Sequence, residues 1–304
     1  MFKKFLILVC LGIVFSGSLL KAEETPRTVP KKYKLSICAV FRNERKFLKE
    51  WIEYHCLVGV DHFYLYNLGS EDRFSDLLQP YIKKKLVTLI HWPCMNCDES
   101  EDKAWMWALS SQVSAYENAI KIKALHETTW LVVMDINEFL VPLKTNKITD
   151  LLEKYKEYPG IMIQTGFFDA SKVDALPPRK LVVESVELTH AELNVQKEVV
   201  KTIFKPDETE GFCWPPYLCL FKDQQIAASA TKNELRINRY MNRAKGYLHA
   251  GKIREKLQVD NRMLSESELE DLLKEGYEIE DQEYAIKRFI PWLMTKLGYE
   301  NWGW

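Results

Sequence analysis

The residues best suited to chemistry in this chain directly follow an apolar run. Residues from Trp130 to Met134 are apolar and strand-forming, and Asp135, Asn137 and Glu138 come after them. Such a strand is buried on both faces, and its carboxyl end faces the crevice where open α/β sheets bind ligands. If the strand continues, Asp135 and Asn137 share one face, and their oxygens suit Mg²⁺ or Mn²⁺. The motif is short, so a strand that ends in a polar turn is the competing interpretation.

The elements that must position this motif alternate between strand-like and helix-like segments. Apolar and β-branched runs predict the strands, and apolar residues spaced three or four apart predict the helices. Strands are predicted over residues 34–41, 62–66, 86–92, 130–134 and 160–165, and helices over residues 44–58, 73–84, 103–126 and 148–155. This order predicts an α/β fold, with a mostly parallel central sheet flanked by helices.

A chain of 304 residues is long enough for one large α/β domain with appendages. We predict an export signal or N-terminal anchor over residues 1–22, a linker over 23–33, the α/β domain over 34–250 and a helical C-terminal extension over 251–304. The 42 Lys+Arg and 43 Asp+Glu give a formal net charge of -1, without a basic block or stripe. This balance argues against a nucleic acid partner.

The first 22 residues have the pattern of an export signal. Lys3 and Lys4 precede an apolar stretch that runs to Leu20, and small residues mark its exit. Cleavage would leave a mature N-terminus at Leu19 or Glu23, in an exported or secretory compartment. The stretch is marginally short for a spanning helix, and an uncleaved single-pass anchor that holds the chain at a membrane is the alternative.

Six of the seven cysteines lie beyond this segment. Cys38 falls in an apolar strand and Cys56 on a helix beside apolar residues, which predicts buried thiols. For the other four, disulfides, a zinc site and free thiols all remain open, and an oxidising compartment favours disulfides. These four are Cys94, Cys97, Cys213 and Cys219.

Polar residues suited to a nucleotide follow the first two predicted strands. Arg42, Asn43 and Glu44 open a helix whose unsatisfied backbone N–H groups favour an anion. Asn67 and Asp72 follow the second strand, where Asp72 could accept from a pyrimidine N–H and Asn67 could equally serve a turn. The chain has no Gly-x-Gly-x-x-Gly and no Gly-Lys-Ser/Thr loop, so a dinucleotide oxidoreductase or an ATPase lacks its signature. A nucleotide-sugar donor remains.

Several longer motifs match a known family in order and spacing across about residues 34 to 250. They are Cys38-Ala-Val-Phe-Arg42-Asn43-Glu44, Glu50-Trp51-Ile-Glu-Tyr54-His55, Tyr64-Leu-Tyr66-Asn67, Ser70-Glu-Asp72, Gln112, Trp130 through Asp135-Ile-Asn137-Glu138-Phe139, Val200-Lys201-Thr-Ile203-Phe-Lys205-Pro206, and Ile237-Asn238-Arg239-Tyr240. The set resembles glycosyltransferase family 92 and related family 2 enzymes.

The resemblance implies a GT-A fold and inverting transfer of a sugar from a nucleotide sugar, usually a UDP-sugar. The acceptor would be a hydroxyl of a glycan or glycoconjugate, and Mn²⁺ or Mg²⁺ would assist the leaving diphosphate, with Asp135 as the first ligand. Donor-sugar contacts are implied at Gln112 and Asn118. The implied nucleotide contacts are Arg42, Asn43, Glu44, Asn67 and Asp72.

Two positions depart from the family pattern. Asn137 stands where the Asp-x-Asp motif has its second Asp, and Arg239 stands where a later segment has His. An amide oxygen can still ligate a divalent cation, so Asp135 and Asn137 remain the predicted metal ligands. The alternative is that a fixed guanidinium at Arg239 replaces part of the charge of the metal.

Transfer requires stabilisation of the leaving diphosphate and deprotonation of the acceptor hydroxyl. We predict that Asp135, aided by Lys201, Lys205 or Arg239, performs the first task. Asp169 lies beyond the predicted strand 160–165 and is the predicted base, although a solvated turn would explain it equally well.

Two other functions share parts of this pattern. The two departures also fit a GT-A-fold protein that binds glycan or nucleotide without transfer. A nucleotidyltransferase that makes sugar nucleotides would share the sheet and the metal chemistry, but the sequence lacks the Gly-rich phosphate loop that it needs near the first strand. Turnover of a labelled sugar nucleotide separates transfer from binding alone.

Overall fold

A mixed sheet of nine strands organises the chain. The computed structural model describes residues 30–93, 101–169, 181–185, 200–212, 218–231, 233–241 and 285–298. Lys31–Trp304 form one compact unit, and Met1–Pro30 are a separate one. The predicted signal or anchor at 1–22 lies outside the described residues. Within the described ranges, no helix combines the length and the apolar character that crossing a membrane requires.

The sheet order is β3-β2-β1-β4-β7-β6-β11-β5, with β10 beside β6, and β8 and β9 pair separately. The strands are β1 (Tyr33–Phe41), β2 (His62–Asn67), β3 (Val87–His91), β4 (Thr128–Val133), β5 (Glu138–Pro142), β6 (Gly160–Asp169), β7 (Val200–Phe204), β8 (Thr209–Phe212), β9 (Cys219–Phe221), β10 (Ala228–Ser229) and β11 (Leu235–Met241). The helices are α1 (Arg45–Leu57), α2 (Phe74–Lys83), α3 (Glu101–Asn118), α4 (Ile148–Leu152), α5 (Val182–Ser185) and α6 (Ile290–Leu297).

The first half of the sheet confirms the predicted alternation of strand and helix. Strand β1 runs parallel to both β2 and β4, and β2 runs parallel to β3. The crossovers between these strands contain α1, α2 and α3, and α3 continues into a π-helical turn at Ala119–Lys123. Because the four strands are parallel, their carboxyl ends open at one edge of the sheet, which is where ligands bind in such folds.

The second half of the sheet combines parallel pairs of β6 with β10 and β11 with antiparallel pairs, so the whole sheet is mostly parallel as predicted. Strand β7 lies between β4 and β6 and is antiparallel to both, and β5 pairs antiparallel with β11. Strand β5 was not predicted as a separate element, because the sequence after residue 137 continues the apolar character of β4. A short turn separates the two strands.

Helix α6 packs into the main hydrophobic core. Leu293 and Leu297 of α6 belong to the same buried cluster as Leu48 and Trp51 of α1. Arg288 anchors the chain just before α6, since its guanidinium donates to three backbone carbonyls at the end of β5 and just beyond it. These are the carbonyls of Pro142 (2.6 Å), Leu143 (3.2 Å) and Thr145 (2.5 Å). The described part of the predicted extension at 251–304 thus completes the core, while the predicted boundary at 250/251 falls outside the described residues.

Cys38 is fully buried on β1, as predicted. Cys56 on α1 is partly buried, and burial raises the pKa of its thiol to about 12. Such thiols stay protonated and unreactive at neutral pH. Cys94, Cys97 and Cys213 lie outside the described residues, so the disulfide and zinc interpretations remain predictions.

Two histidines are structural, as their sequence context beside apolar helix and strand residues indicates. The Nδ1 of His55 donates to the Trp51 carbonyl (2.8 Å), and its Nε2 accepts from the Leu140 amide (3.2 Å). The Nε2 of His62 lies 2.9 Å from the Thr88 hydroxyl. Burial lowers the pKa of His55 to about 3 and that of His62 to about 4. Both rings are therefore neutral at pH 7.

The free energy of unfolding should fall as pH drops from about 6.5 toward 4. The unfolded chain protonates its histidines near 6.5, but folded His55 and His62 do not, so the unfolded state binds more protons in this window. At pH 5 each of the two histidines should lower the free energy of unfolding by about 2 kcal/mol relative to pH 7.5. Urea unfolding at both pH values measures this loss.

The control for this experiment is a histidine on the surface. His55→Gln should remove about half of the pH-dependent loss, since it removes one of the two groups. His126→Gln, at an exposed position, should leave the loss unchanged. An equal pH dependence in wild type and His55→Gln would contradict the prediction.

Candidate active site

Asp135 and Asn137 lie in the turn between β4 and β5. Strand β4 ends at Val133 and β5 begins at Glu138, so the predicted alternation of Asp135 and Asn137 on one strand face is wrong. The Asp135 amide donates to Glu138 Oε2 (2.8 Å), and the Glu138 amide donates to the Asp135 carbonyl (3.1 Å). This reciprocal pair closes the turn at the carboxyl end of β4.

Among the described residues, four charged side chains meet at this turn, and we call Asp135, Glu138, Lys201 and Arg239 the charge cluster. The Arg239 guanidinium bridges both carboxylates, at 3.3 Å from Asp135 Oδ2 and 3.3 Å from Glu138 Oε1. The Lys201 ammonium lies 2.5 Å from Glu138 Oε2. None of the four side chains is more than 2% exposed. Lys201 comes from β7 and Arg239 from β11, where it is in register with Glu138.

The charge cluster is electrically balanced, with two carboxylates against two cations. An isolated buried charge costs several kcal/mol, and removal of one partner from a buried pair leaves such a charge behind. The four side chains therefore depend on one another. Charge-assisted hydrogen bonds in a buried setting also fix the geometry of the guanidinium.

The cluster is connected to α3 through Gln112. Its Nε2 donates to Asp135 Oδ1 (3.2 Å) and to the Tyr116 hydroxyl (2.6 Å) one turn later. Both carboxylate oxygens of Asp135 are thus engaged, one by Gln112 and one by Arg239. Asn118 accepts a hydrogen bond from the hydroxyl of Tyr66 on β2 (2.8 Å).

The loops that follow β1 and β2 are tied to each other. The Asn43 amide donates to the Ser70 hydroxyl (2.9 Å), and Asn43 Oδ1 accepts from the Glu71 amide (2.8 Å). Asn67 Oδ1 accepts from the Ser70 amide (2.9 Å). Asn43 has a φ of 55°, in the left-handed region that asparagine tolerates better than most residues. The structure therefore brings Asn43 and Asn67 together, and both side chains shape the loops.

Asp72 caps α1 from the neighbouring loop. Its Oδ2 accepts from the Arg45 amide (2.7 Å) at the start of the helix. Its Oδ1 is buried and has no hydrogen-bond partner among the described residues. Buried polar atoms are nearly always paired, so an unpaired carboxylate oxygen needs an explanation such as a ligand donor. Glu44 and Arg42 precede the same helix, with Glu44 buried.

Residues 31–244 match the profile of glycosyltransferase family 92. The chain belongs to glycosyltransferase family 92. Over 109 residues, this family 92 chain is 28% identical to a family 92 protein of Ricinus communis, covering 36% of the chain and 17% of that protein. Over 132 residues it is 28% identical to one of Oryza sativa subsp. japonica, covering 43% of the chain and 20% of that protein. The alignments thus span a fifth or less of the length of these relatives.

Solved structures give a weaker likeness. S. aureus TarS 1-349 has 10% identity and a TM-score of 0.37, covering 86% of this chain and 73% of that chain. Its complex with UDP has 9% identity and a TM-score of 0.38, covering 80% and 70%. These values are too low to transfer a ligand to this chain. Family membership, with the parallel β3-β2-β1-β4 half of the sheet, confirms the predicted α/β fold of GT-A type.

Lys205 is not brought to the active-site edge of this family 92 chain. Strand β7 is antiparallel to β4, with Phe204 opposite Leu131, so Lys205 emerges at the amino end of β4. There its ammonium contacts the Lys156 carbonyl (2.8 Å) and Glu208 (2.8 Å) and lies over the ring of Trp130 (5.3 Å). The predicted contact of Lys205 with the diphosphate is therefore wrong, because Lys205 lies at the opposite end of β4 from Asp135.

Asp169 is the last residue of β6, where its backbone pairs with Met241 of β11. The predicted position just beyond the 160–165 strand is therefore corrected to the end of a longer strand. Its side chain lies outside the described part of the structure, and its role as the base stays a prediction.

The residues predicted to hold a divalent cation are already hydrogen-bonded to protein groups in this arrangement. Each oxygen of Asp135 accepts a hydrogen bond, and the Asn137 side-chain amide donates to the Tyr240 carbonyl (3.3 Å). Among the described residues, no group of three or more His, Cys, Asp or Glu side chains could hold a metal ion.

Two contacts near Asp135 were not predicted, the Lys201–Glu138 ion pair and the Gln112–Tyr116 hydrogen bond, although the sequence carries a signal for each. Lys201 is a single cation in an apolar strand, and a buried cation requires a buried carboxylate, which is Glu138. Tyr116 lies four residues after Gln112 on the same helix face, and such pairs are neighbours. The pairing of Lys201 with Glu138 becomes specific only when β5 and β7 lie in one sheet.

Proposed function

We propose that this chain transfers a sugar from a UDP-sugar to a hydroxyl of a glycan or glycoconjugate acceptor, with inversion at the anomeric carbon. Membership of glycosyltransferase family 92 supports the reaction class. The single observation that carries the nucleotide assignment is the buried, unpaired Oδ1 of Asp72. It lies beside the start of α1, at the edge where the parallel strands end.

The chemistry of uracil explains why a carboxylate would be placed there. Uracil presents one N–H on its pairing edge, and Asp72 Oδ1 is an acceptor with no other partner among the described residues. The start of α1 is the positive end of the helix dipole, which favours the negative charge of a diphosphate. The base and the diphosphate would thus be recognised by neighbouring parts of the same edge.

Asp72→Asn should weaken UDP binding by about 10- to 100-fold, because it removes a charge-assisted hydrogen bond. Asn can still accept from the Arg45 amide through its one oxygen, so the helix cap should survive. Isothermal titration of UDP into both proteins measures the effect. Asp76→Asn, at an exposed position on α2, is the matched control and should bind as the wild type does. Equal UDP affinity in Asp72→Asn and wild type would remove the nucleotide assignment.

The competing function is binding without transfer. The charge cluster could be a structural element in a protein that only holds a nucleotide or a glycan. Turnover of radiolabelled UDP-sugars with a panel of glycan acceptors decides between the two. UDP binding without any transfer or hydrolysis across that panel would favour the binding protein.

Export through the segment at 1–22, with acceptors met in the secretory route, remains part of the proposal.

A further inference from the structure

We propose that Arg239 takes the electrostatic place of a divalent cation, so that this chain binds its sugar nucleotide and transfers the sugar without a metal. The inference rests on the proposed use of a nucleotide diphosphate donor. The observation behind it is the guanidinium that bridges Asp135 and Glu138, the two carboxylates of the turn after β4. A metal that used Asp135 would have to share its two oxygens with Gln112 and Arg239, which already donate to them.

The net charge of the cluster shows why Arg239 and a divalent cation exclude one another. Asp135 and Glu138 carry two negative charges, and Lys201 and Arg239 already supply two positive ones. A divalent cation would raise the buried cluster to a net charge of plus two. Buried net charge is costly, and so the balanced cluster opposes cation binding.

The two departures from the family pattern also favour a site without a metal. Asn137 lacks the negative charge of the Asp that it replaces, and Arg239 adds a positive charge where the pattern has His. Together they make the site two charge units more positive, which is the charge of one divalent cation. Either change alone would leave the net charge of the site one unit away from zero, with or without a divalent cation.

Arg239 is a positioning residue in this mechanism. Its side chain is buried against the two carboxylates, so it acts by neutralising them, and a diphosphate can then lie at the same edge of the sheet without repulsion from uncompensated charge. The held guanidinium needs no reorganisation when charge develops on the leaving group, which is the condition for effective electrostatic stabilisation.

The first test measures Mn²⁺ and UDP binding with the full chain. Electron paramagnetic resonance of free Mn²⁺ should show no measurable binding by the wild type. UDP affinity by isothermal titration should be equal, within about threefold, in EDTA and in Mn²⁺. Mn²⁺ binding that strengthens UDP binding by about tenfold or more would overturn the inference. If UDP binds in neither condition, the proposed function fails, and the Mn²⁺ titration alone still decides whether the cluster accepts a cation.

The second test restores the residues of the family pattern at positions 137 and 239. The double variant Asn137→Asp with Arg239→His should bind Mn²⁺, and its UDP binding should become Mn²⁺-dependent by about tenfold or more. Asn146→Asp, in an exposed turn, is the control and should change neither property. Arg239→Lys keeps the charge and should bind UDP in EDTA within about tenfold of the wild type, which separates charge loss from misfolding. A double variant that stays folded by circular dichroism and gains no Mn²⁺ binding would overturn the inference.

Discussion

Asp135→Asn should lower the transfer rate by about 100-fold while the protein remains folded. Asp135 holds Gln112 with one oxygen and Arg239 with the other, at the carboxyl end of β4. Loss of its charge weakens one of the two ion pairs that hold the guanidinium in place, and small displacements of groups around a reacting centre have effects of this size. Initial rates with a labelled UDP-sugar measure the loss, and circular dichroism reports the fold.

Asparagine is the informative replacement because Asp135 is buried and paired. Asp135→Ala would leave Arg239 facing only one carboxylate and would open a cavity, so instability would obscure the effect on catalysis. Asp150→Asn, exposed on α4, is the matched control and should retain the wild-type rate. A near-normal rate in Asp135→Asn would remove this residue from the active site.

Lys201→Met should lower the free energy of unfolding by about 3 to 5 kcal/mol. Lys201 is fully buried and its ammonium pairs with Glu138, so its removal leaves Arg239 as the one described cation paired with this buried carboxylate. Urea unfolding at pH 7 measures the change. Methionine keeps most of the volume of the side chain, and so the loss reports charge more than packing.

The control is an ion pair of equal length on the surface. Lys154 lies 2.5 Å from Glu234 but its side chain is 56% exposed, and Lys154→Met should cost less than about 1 kcal/mol. The double variant of Lys201→Met and Glu138→Gln should be less destabilised than the sum of the two single variants, because it removes both charges. Equal losses in Lys201→Met and Lys154→Met would contradict a buried, interdependent cluster.

The sequence alone determined the first half of the fold. Apolar runs and amphipathic spacing act over short stretches, and they located β1 to β4 and α1 to α3 to within a few residues at most boundaries. Parallel order followed from the alternation of strand and helix. The loops with Asn43, Asn67 and Asp72 were also predicted, since loops after parallel strands gather at one edge.

The tertiary structure alone decided how the charged residues meet. Glu138, Lys201 and Arg239 come from β5, β7 and β11, which are far apart in sequence, and nothing local specifies that β7 inserts antiparallel beside β4. That direction brings Lys201 to the carboxyl end of β4 and sends Lys205 to the other end. Strand direction and register depend on side-chain packing across the whole sheet, which a short sequence window does not contain.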